Sequence, residues 1–245
     1  MPTDSGVAHP GIVEAPQPPP QRRGRPGAFL DVDRTLLRGS SFLALAGPLQ
    51  RDGLLTRRRM LAAALHQLSF TLRGASHQRL QDAAEAGARA VQGIEAERLR
   101  RVSQEALGAV LLPRVFAEAW EAIQRHHAAE EPVFLVSSAP VEIVEPLATA
   151  VGADDVAATH AEVLDGRYTG RLLTFCYGPA KYHALHVLAE RHGVDLARST
   201  AYADSFSDAP MLGAVGHPVC VNPDRDLRAL ARRRGWEVRR FRRSR

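Results

Sequence analysis

Residues 28–37 read AFLDVDRTLL. Ala28, Phe29 and Leu30 form a short apolar run that ends in charge at Asp31. Such a run suits a buried strand of a parallel sheet whose carboxyl end opens into a site. Asp31 and Asp33, two residues apart, would share one face of a straight strand, and at a strand end the chain can turn so that both reach one phosphate. A carboxylate can attack phosphorus to give an acyl phosphate. A second carboxyl can protonate the leaving oxygen and later deprotonate water.

Beyond this run the pattern changes. Residues 41–128 carry helical periodicity throughout and no strand signal. Thr56 is a candidate cap for a helix over 56–72, Ser76 precedes a second, residues 94–110 form a third, and Pro113 sits where a first helical turn would begin before Val115, Phe116, Ala119, Trp120 and Ile123. The expected organisation is a helical cap over 41–128, a catalytic core over 27–40 and 129–245, and a disordered proline-rich leader over 1–26.

After the helices, strands alternate with helices. Pro132–Ser137 (PVFLVS) is a buried-strand run and 140–150 a helix. Val156–Thr159 is a short strand, and Asp165-Gly166 is a hairpin signal between AEVL and RYTGRLL. A helix is predicted over 180–192, led by Gly178 and Pro179. Thr200–Ala203 is a strand, followed by a short helix near 207–214, a strand at Val219–Val221, a helix near 224–234 and an edge strand within 236–241. This alternation predicts an α/β fold with a doubly wound parallel sheet, whose ligands bind beyond the carboxyl ends of the strands.

Chemistry-bearing residues stand at those ends. Asp204 and Asp208 occur in ADSFSD after the Thr200–Ala203 strand. Several carboxylates gathered at one point repel each other without a cation, and hard oxygen ligands favour Mg²⁺. Ser137 ends its strand with a hydroxyl for phosphate. Lys181 starts a helix, whose end also carries partial positive charge. It is the one lysine among 32 basic residues. A position that stays lysine when composition drives the rest to arginine points to a need for a compact ammonium.

DVDRTLL, the strand-ending Ser137, Lys181 and ADSFSD, in that order, resemble the four motifs of the haloacid dehalogenase-like superfamily. The resemblance runs over about residues 28–245. The helical insertion directly after the first motif is similar to subfamily IB, which contains phosphoserine phosphatase-like hydrolases. The resemblance implies a Rossmann-like core, with Asp31 as nucleophile and Asp33 as acid/base. It implies Ser137, Lys181 and Thr35 around the phosphate, Thr35 also supporting the first loop. Asp31, the Asp33 carbonyl and Asp204 would hold Mg²⁺, and Asp208 would bind or orient that shell. The chain departs from the pattern in three places. Arg34 stands where many relatives carry a small residue. Ser40 stands where phosphoserine phosphatases carry a glutamate for the substrate amine, which argues against phosphoserine. The second motif reads SSA rather than SGG.

The expected activity is therefore Mg²⁺-dependent hydrolysis of a small-molecule phosphomonoester. A lipid-phosphate phosphatase, a phosphotransferase and a phospho-aspartate signalling receiver are the alternatives. A receiver needs neither Asp33 nor a long insertion. Arg38, Ser40 and Ser41 are the polar candidates nearest the cap, and equally a polar connection into its first helix. No stretch approaches 18 uninterrupted apolar residues, so no membrane span is predicted, although the basic-then-apolar 56–72 segment could touch a membrane surface. Residues 224–245 carry a net +7 and the remainder −2. That tail reads as a solvated charge run, and no aromatic-rich basic strand points to nucleic acid. Cys176 and Cys220 lack metal-ligand spacing and read as reduced thiols of a cytoplasmic protein. His183 and His186 read as a surface-helix pair, His126 and His127 as helix neighbours pointing apart, and His160 and His217 as loop residues.

Overall fold

This computed structural model describes residues 24–54 and 77–242, apart from the side chains of 77–80 and 83. The expected 56–72 helix and most of the expected leader lie outside them. The described chain begins at Gly24, and Arg25 forms a parallel bridge to Val194.

β1 (Ala28–Asp31) is the middle strand of a seven-stranded sheet. From one edge, its neighbours run β4 (Arg167–Thr174), β3 (Asp155–Leu164) and β2 (Val133–Pro140). On the other side lie β5 (Thr200–Ala203), β6 (His217–Val221) and β7 (Glu237–Arg239). All neighbours pair parallel except β3 with β4, which form a hairpin through Asp165 and Gly166. Both turn residues are left-handed, with φ of 51° and 76°, the backbone that a tight hairpin demands.

Between β1 and β2 the regular elements among the described residues are helices. α1 (Ser41–Ala44) and α2 (Ala46–Arg51) are followed by α3 (His77–Ala90), α4 (Ala96–Ala106) and α5 (Ala117–Ala128). α6 (Val141–Val151), α7 (Pro179–His192), α8 (Ala209–Leu212) and α9 (Arg225–Arg234) follow the later strands. Successive strand residues point to opposite faces, and each face is covered. Ala28 and Leu30 enter one apolar cluster with Ile123 of α5 and Ile143 and Leu147 of α6. Phe29 enters another with Phe134, Leu185 and Leu188 of α7 and Leu227 of α9. Burial on both faces explains why β1 reads as a continuous apolar run rather than an alternating one.

Some boundaries differ from the sequence reading. Pro113 lies in a tight turn over Leu112–Arg114, and α5 starts only at Ala117. Val115 and Phe116 are extended because they pair with the chain leaving β1. Val115 bridges Leu37 in antiparallel fashion, the Phe116 N–H donates to the Leu36 carbonyl at 3.0 Å, and the Arg38 N–H donates to the Arg114 carbonyl at 2.8 Å. This tertiary pairing overrides the local helical pattern. β3 is longer than the predicted 156–159 because pairing with β4 extends it to Leu164. His160 and His217 are accordingly strand residues, not loop residues.

The polar and charged outliers have structural partners. His126 bonds Glu131 at 2.6 Å and Tyr202 at 2.9 Å, while His127 lies 3.8 Å from Asp154. Arg232, Arg233 and Arg234 occupy the last turn of α9, where cations complement the helix dipole. Burial pushes the Cys176 and Cys220 thiols up to about 11, so both are inert as nucleophiles near neutrality. No helix among the described residues is long and apolar enough to cross a membrane.

Gly216, just before β6, passes directly against the turn at Leu196–Arg198. A Cβ there would lie 1.8 Å from the Ala197 carbonyl oxygen, a backbone atom that cannot swing aside. Gly216→Ala is expected to destabilise the protein by about 2–3 kcal/mol, lowering the melting temperature by roughly 5–10 °C. An unchanged melting temperature would contradict this packing.

Candidate active site

The chain fills one side of β1 with β2, β3 and β4, then returns to place β5 on the other side. β1 is thus where the winding direction reverses, and a crevice opens beyond the carboxyl ends of β1, β2 and β5. Register then decides what reaches it. Asp31 pairs with Val136, so Ser137 follows one residue later, and Leu30 pairs with Tyr202, so Asp204 lies one residue past the level of Asp31.

Three carboxylates converge. Asp31, Asp204 and Asp208 are all buried, and each offers an oxygen within 4.8 Å of those of the other two. Lys181, itself buried, sits among them, with Nζ 2.5 Å from Asp31 Oδ1 and 3.0 Å from Asp208 Oδ1. Its place is set by Gly178 (φ 56°, ψ −122°), a conformation open to glycine, which turns the chain into α7 just ahead of Pro179. Lys181 is therefore in the first turn of α7.

The electrostatics follow from crowding. Burial lowers the Lys181 pKa, but the charges of Asp208 and Asp31 and their hydrogen bonds more than offset that and hold it above the ordinary lysine value. Burial, then the charge of Asp31, raises Asp204 well above its ordinary value, with Arg34 opposing. Burial also raises Asp208, against the pull of Lys181. The cluster is short of positive charge. Its donors are all carboxylate oxygens, which fit a hard divalent cation such as Mg²⁺. Mg²⁺ at about 100 times its dissociation constant is expected to stabilise the fold by about 2.7 kcal/mol, raising the melting temperature by roughly 5–10 °C. A melting temperature indifferent to Mg²⁺ would rule these carboxylates out as its ligands.

The remaining sequence candidates fall around this cluster. Asp33 accepts from the Ser41 N–H at 2.9 Å. Burial raises its pKa, the hydrogen bonds from Ser41 oppose that, and the Asp31 charge adds to it. Ser137 Oγ accepts from the Ala139 N–H at 3.1 Å, which leaves its own hydroxyl hydrogen free to donate. Thr35 is buried with no hydrogen-bond partner for Oγ1. A buried hydroxyl without a partner is costly, and a bound oxygen would relieve it. Ser40 caps α1, its Oγ accepting from the Leu43 N–H. Ser40 and Ser41 thus link the loop to the first inserted helix. His183 and His186 flank the Tyr182 ring on α7, and the three aspartates are the only metal-type cluster among the described residues.

Two participants escaped the sequence reading. Arg34, noted there only as a departure, places Nε 2.9 Å from Asp204 Oδ2. Asp224 caps α9 through the Leu227 N–H at 2.7 Å, accepts from the Phe206 N–H at 2.8 Å, and donates its own N–H to the Asp204 carbonyl at 2.9 Å. It ties the loop bearing Asp204 and Asp208 to the loop after β6. The available signal was Asn222-Pro223-Asp224 ahead of a helical run, an N-cap signature.

An acid cluster with a buried lysine, at the reversal point of such a sheet, is the arrangement expected of a haloacid dehalogenase-like hydrolase, and that family's model matches residues 28–213. The chain belongs to this family. It is 40% identical over 228 residues to a probable phosphatase of Mycobacterium tuberculosis, covering 91% of this chain and 79% of that protein. It is 37% identical over 217 residues to a phosphoserine phosphatase of the same organism, covering 88% and 70%. Among solved structures, a protein of unknown function from Bordetella pertussis Tohama I superposes with a TM-score of 0.76 at 28% identity, covering 88% of this chain and 98% of that one. A phospho-aspartyl intermediate analogue of phosphoserine phosphatase shares the fold, with a TM-score of 0.64 at 16% identity over 91% and 95% of the two chains. The family and these relatives identify the chain as a phosphatase.

Proposed function

We propose that this phosphatase hydrolyses a small phosphomonoester in two steps through Asp31. The observation that carries the reading is Asp31 itself, at the end of the central strand, beside Lys181 and within 4.8 Å of Asp204 and Asp208 through carboxylate oxygens. A carboxylate oxygen of Asp31 attacks phosphorus, the ester P–O bond breaks, and Asp33 delivers its proton to the departing alkoxide. Asp33 then takes a proton from water. That water's oxygen bonds phosphorus, the Asp31–phosphorus bond breaks, and inorganic phosphate leaves. The raised Asp33 pKa supports the acid role, because the protonated form persists to higher pH than for an ordinary aspartate.

Mg²⁺ held by Asp31, Asp204 and the Asp33 main-chain carbonyl, with Asp208 orienting that shell, would neutralise charge developing on the phosphoryl oxygens. Lys181 and the hydroxyls of Ser137 and Thr35 are the phosphate ligands. The insertion over 41–128 acts as a cap that excludes water and selects the leaving group. Ser40 has no carboxylate and its hydroxyl is engaged in capping α1, so nothing at that position would hold the amine of phosphoserine. The substrate is therefore taken to be a different small phosphomonoester. Transfer of the phosphoryl group to an alcohol instead of water needs the same residues.

The test is phosphate release from a panel of phosphomonoesters, with Mg²⁺ and with a chelator. Release that needs Mg²⁺ and returns when it is restored is the expected result. A phosphoryl group that stays on Asp31 without turnover would instead point to a switch.

A further inference from the structure

We infer that Arg34 is a specificity-determining residue that moves between two anions: Asp204 in the cation-free site, and a second anionic group on the substrate once a divalent cation has taken Asp204. The inference rests on the phosphatase reading above and deepens it by naming the substrate class, a phosphomonoester that carries a further carboxylate or phosphate.

Arg34 is held in an unusual way. Its backbone is left-handed, with φ of 67°, and its N–H donates to the Gly39 carbonyl at 3.1 Å. A non-glycine residue in this region is uncommon and, for a long side chain, strained. The loop from β1 is therefore fixed at its backbone while the side chain reaches out of it. The side chain is 45% exposed, yet it ends on an Asp204 side chain that is only 7% exposed. One guanidinium thus spans from solvent to a buried carboxylate of the cluster.

The pair is conditional. Asp204 is among the carboxylates that fit a divalent cation, and a divalent cation on Asp204 would repel the guanidinium and weaken its hold on that carboxylate. The closest approach of Arg34 to Asp204 is through Nε. The two terminal amino groups have no other carboxylate partner among the described residues. Such a fork matches carboxylate and phosphate groups through paired hydrogen bonds. Displaced from Asp204, it stays tethered one residue from Asp33, the acid proposed to protonate the leaving group, and on the exposed side of the cluster. Lys181 cannot fill that role, because it is buried and shared by Asp31 and Asp208.

The experiment compares the wild type with Arg34→Gln and Arg34→Lys. Mg²⁺ affinity is first measured directly by titration calorimetry, without substrate. Arg34→Gln should bind Mg²⁺ about fivefold more tightly because the competing cation is gone. Equal or weaker binding would overturn the shared-anion picture. KM is then measured for three sets of phosphomonoesters: leaving groups bearing a carboxylate, bearing a second phosphate, and uncharged. Arg34→Gln should raise KM about tenfold or more for one or both anionic sets relative to the uncharged set, and Arg34→Lys should recover part of the difference. The set that moves identifies the second anion. An equal change in all three sets, or none, would overturn the specificity role. If the wild type releases phosphate from no ester, the enzyme reading fails, and the calorimetric arm still decides whether Arg34 competes for Asp204.

Discussion

Asp31→Asn is expected to lower phosphate release by at least ~10⁴-fold, as loss of an attacking residue does in other covalent mechanisms, while the protein still folds. The amide is isosteric, so the strand end and its packing are unchanged. It has no carboxylate with which to form an acyl phosphate. Its effect on stability is moderate for an electrostatic reason. Asp31 raises the pKa of both Asp204 and Asp208, so removing its charge relieves repulsion even as Lys181 loses one of two partners. Lys181 keeps Asp208 at 3.0 Å. The measurement is initial-rate phosphate release beside a thermal melt. Unchanged turnover in a folded variant would end the covalent mechanism. A variant that does not fold would show that the Asp31–Lys181 pair is chiefly structural.

Lys181→Met is expected to do more damage to stability than to any single bond. It leaves Asp31 and Asp208 buried without their shared cation, a change costing about 3–5 kcal/mol, or roughly 10–15 °C in melting temperature. Mg²⁺ should restore part of that loss, since a hard divalent cation fits the same carboxylates. Lys181→Arg separates charge from shape. The net charge is kept, but a planar guanidinium must enter a niche in which Lys181 is only 3% exposed and sits 2.5 Å and 3.0 Å from its two partners. Phosphate release should fall at least ~100-fold, the scale of losing one preorganised group that stabilises the transition state. Full activity in Lys181→Arg would show that any cation suffices and that the lone lysine is an accident of composition.

What could be read from the chain divides along physical lines. β1, β2 and β5 were legible because burial on both faces writes them as short apolar runs. The gathering of Asp31, Lys181, Asp204 and Asp208 could be anticipated because strand ends and the helices that follow them are where such a sheet displays its polar side chains. Asp204 and Asp208 meet Asp31 because β5 lies beside β1, and Lys181 joins them because α7 packs across β1 through Leu185 and Leu188. The Arg34–Asp204 pair was not legible, because it depends on a left-handed residue in one loop meeting a carboxylate far along the chain. Asp224 was hidden for a similar reason: capping α9 explains it locally, and its grip on Phe206 and Asp204 appears only when two loops meet. Val115 and Phe116 read as helix because their extended partner, Leu36–Arg38, lies on the other side of the insertion.

That last pairing bears on how the chain finds its fold. Asp31 and Val136 are neighbours in the sheet but about a hundred residues apart in sequence. The antiparallel contact of Leu37 with Val115 pinches off the insertion at its neck. If the insertion forms first, the span left to close between β1 and β2 shrinks to about a quarter. At about 0.6 kcal/mol per doubling of length, closure then becomes easier by ~1.2 kcal/mol. The neck would serve the sheet as an assembly shortcut, turning a slow long-range pairing into a nearly local one. Pulse-labelled hydrogen exchange would show amides of α4 and α5 protected before those of β1, and the reverse order would mean that the sheet assembles without help from the neck.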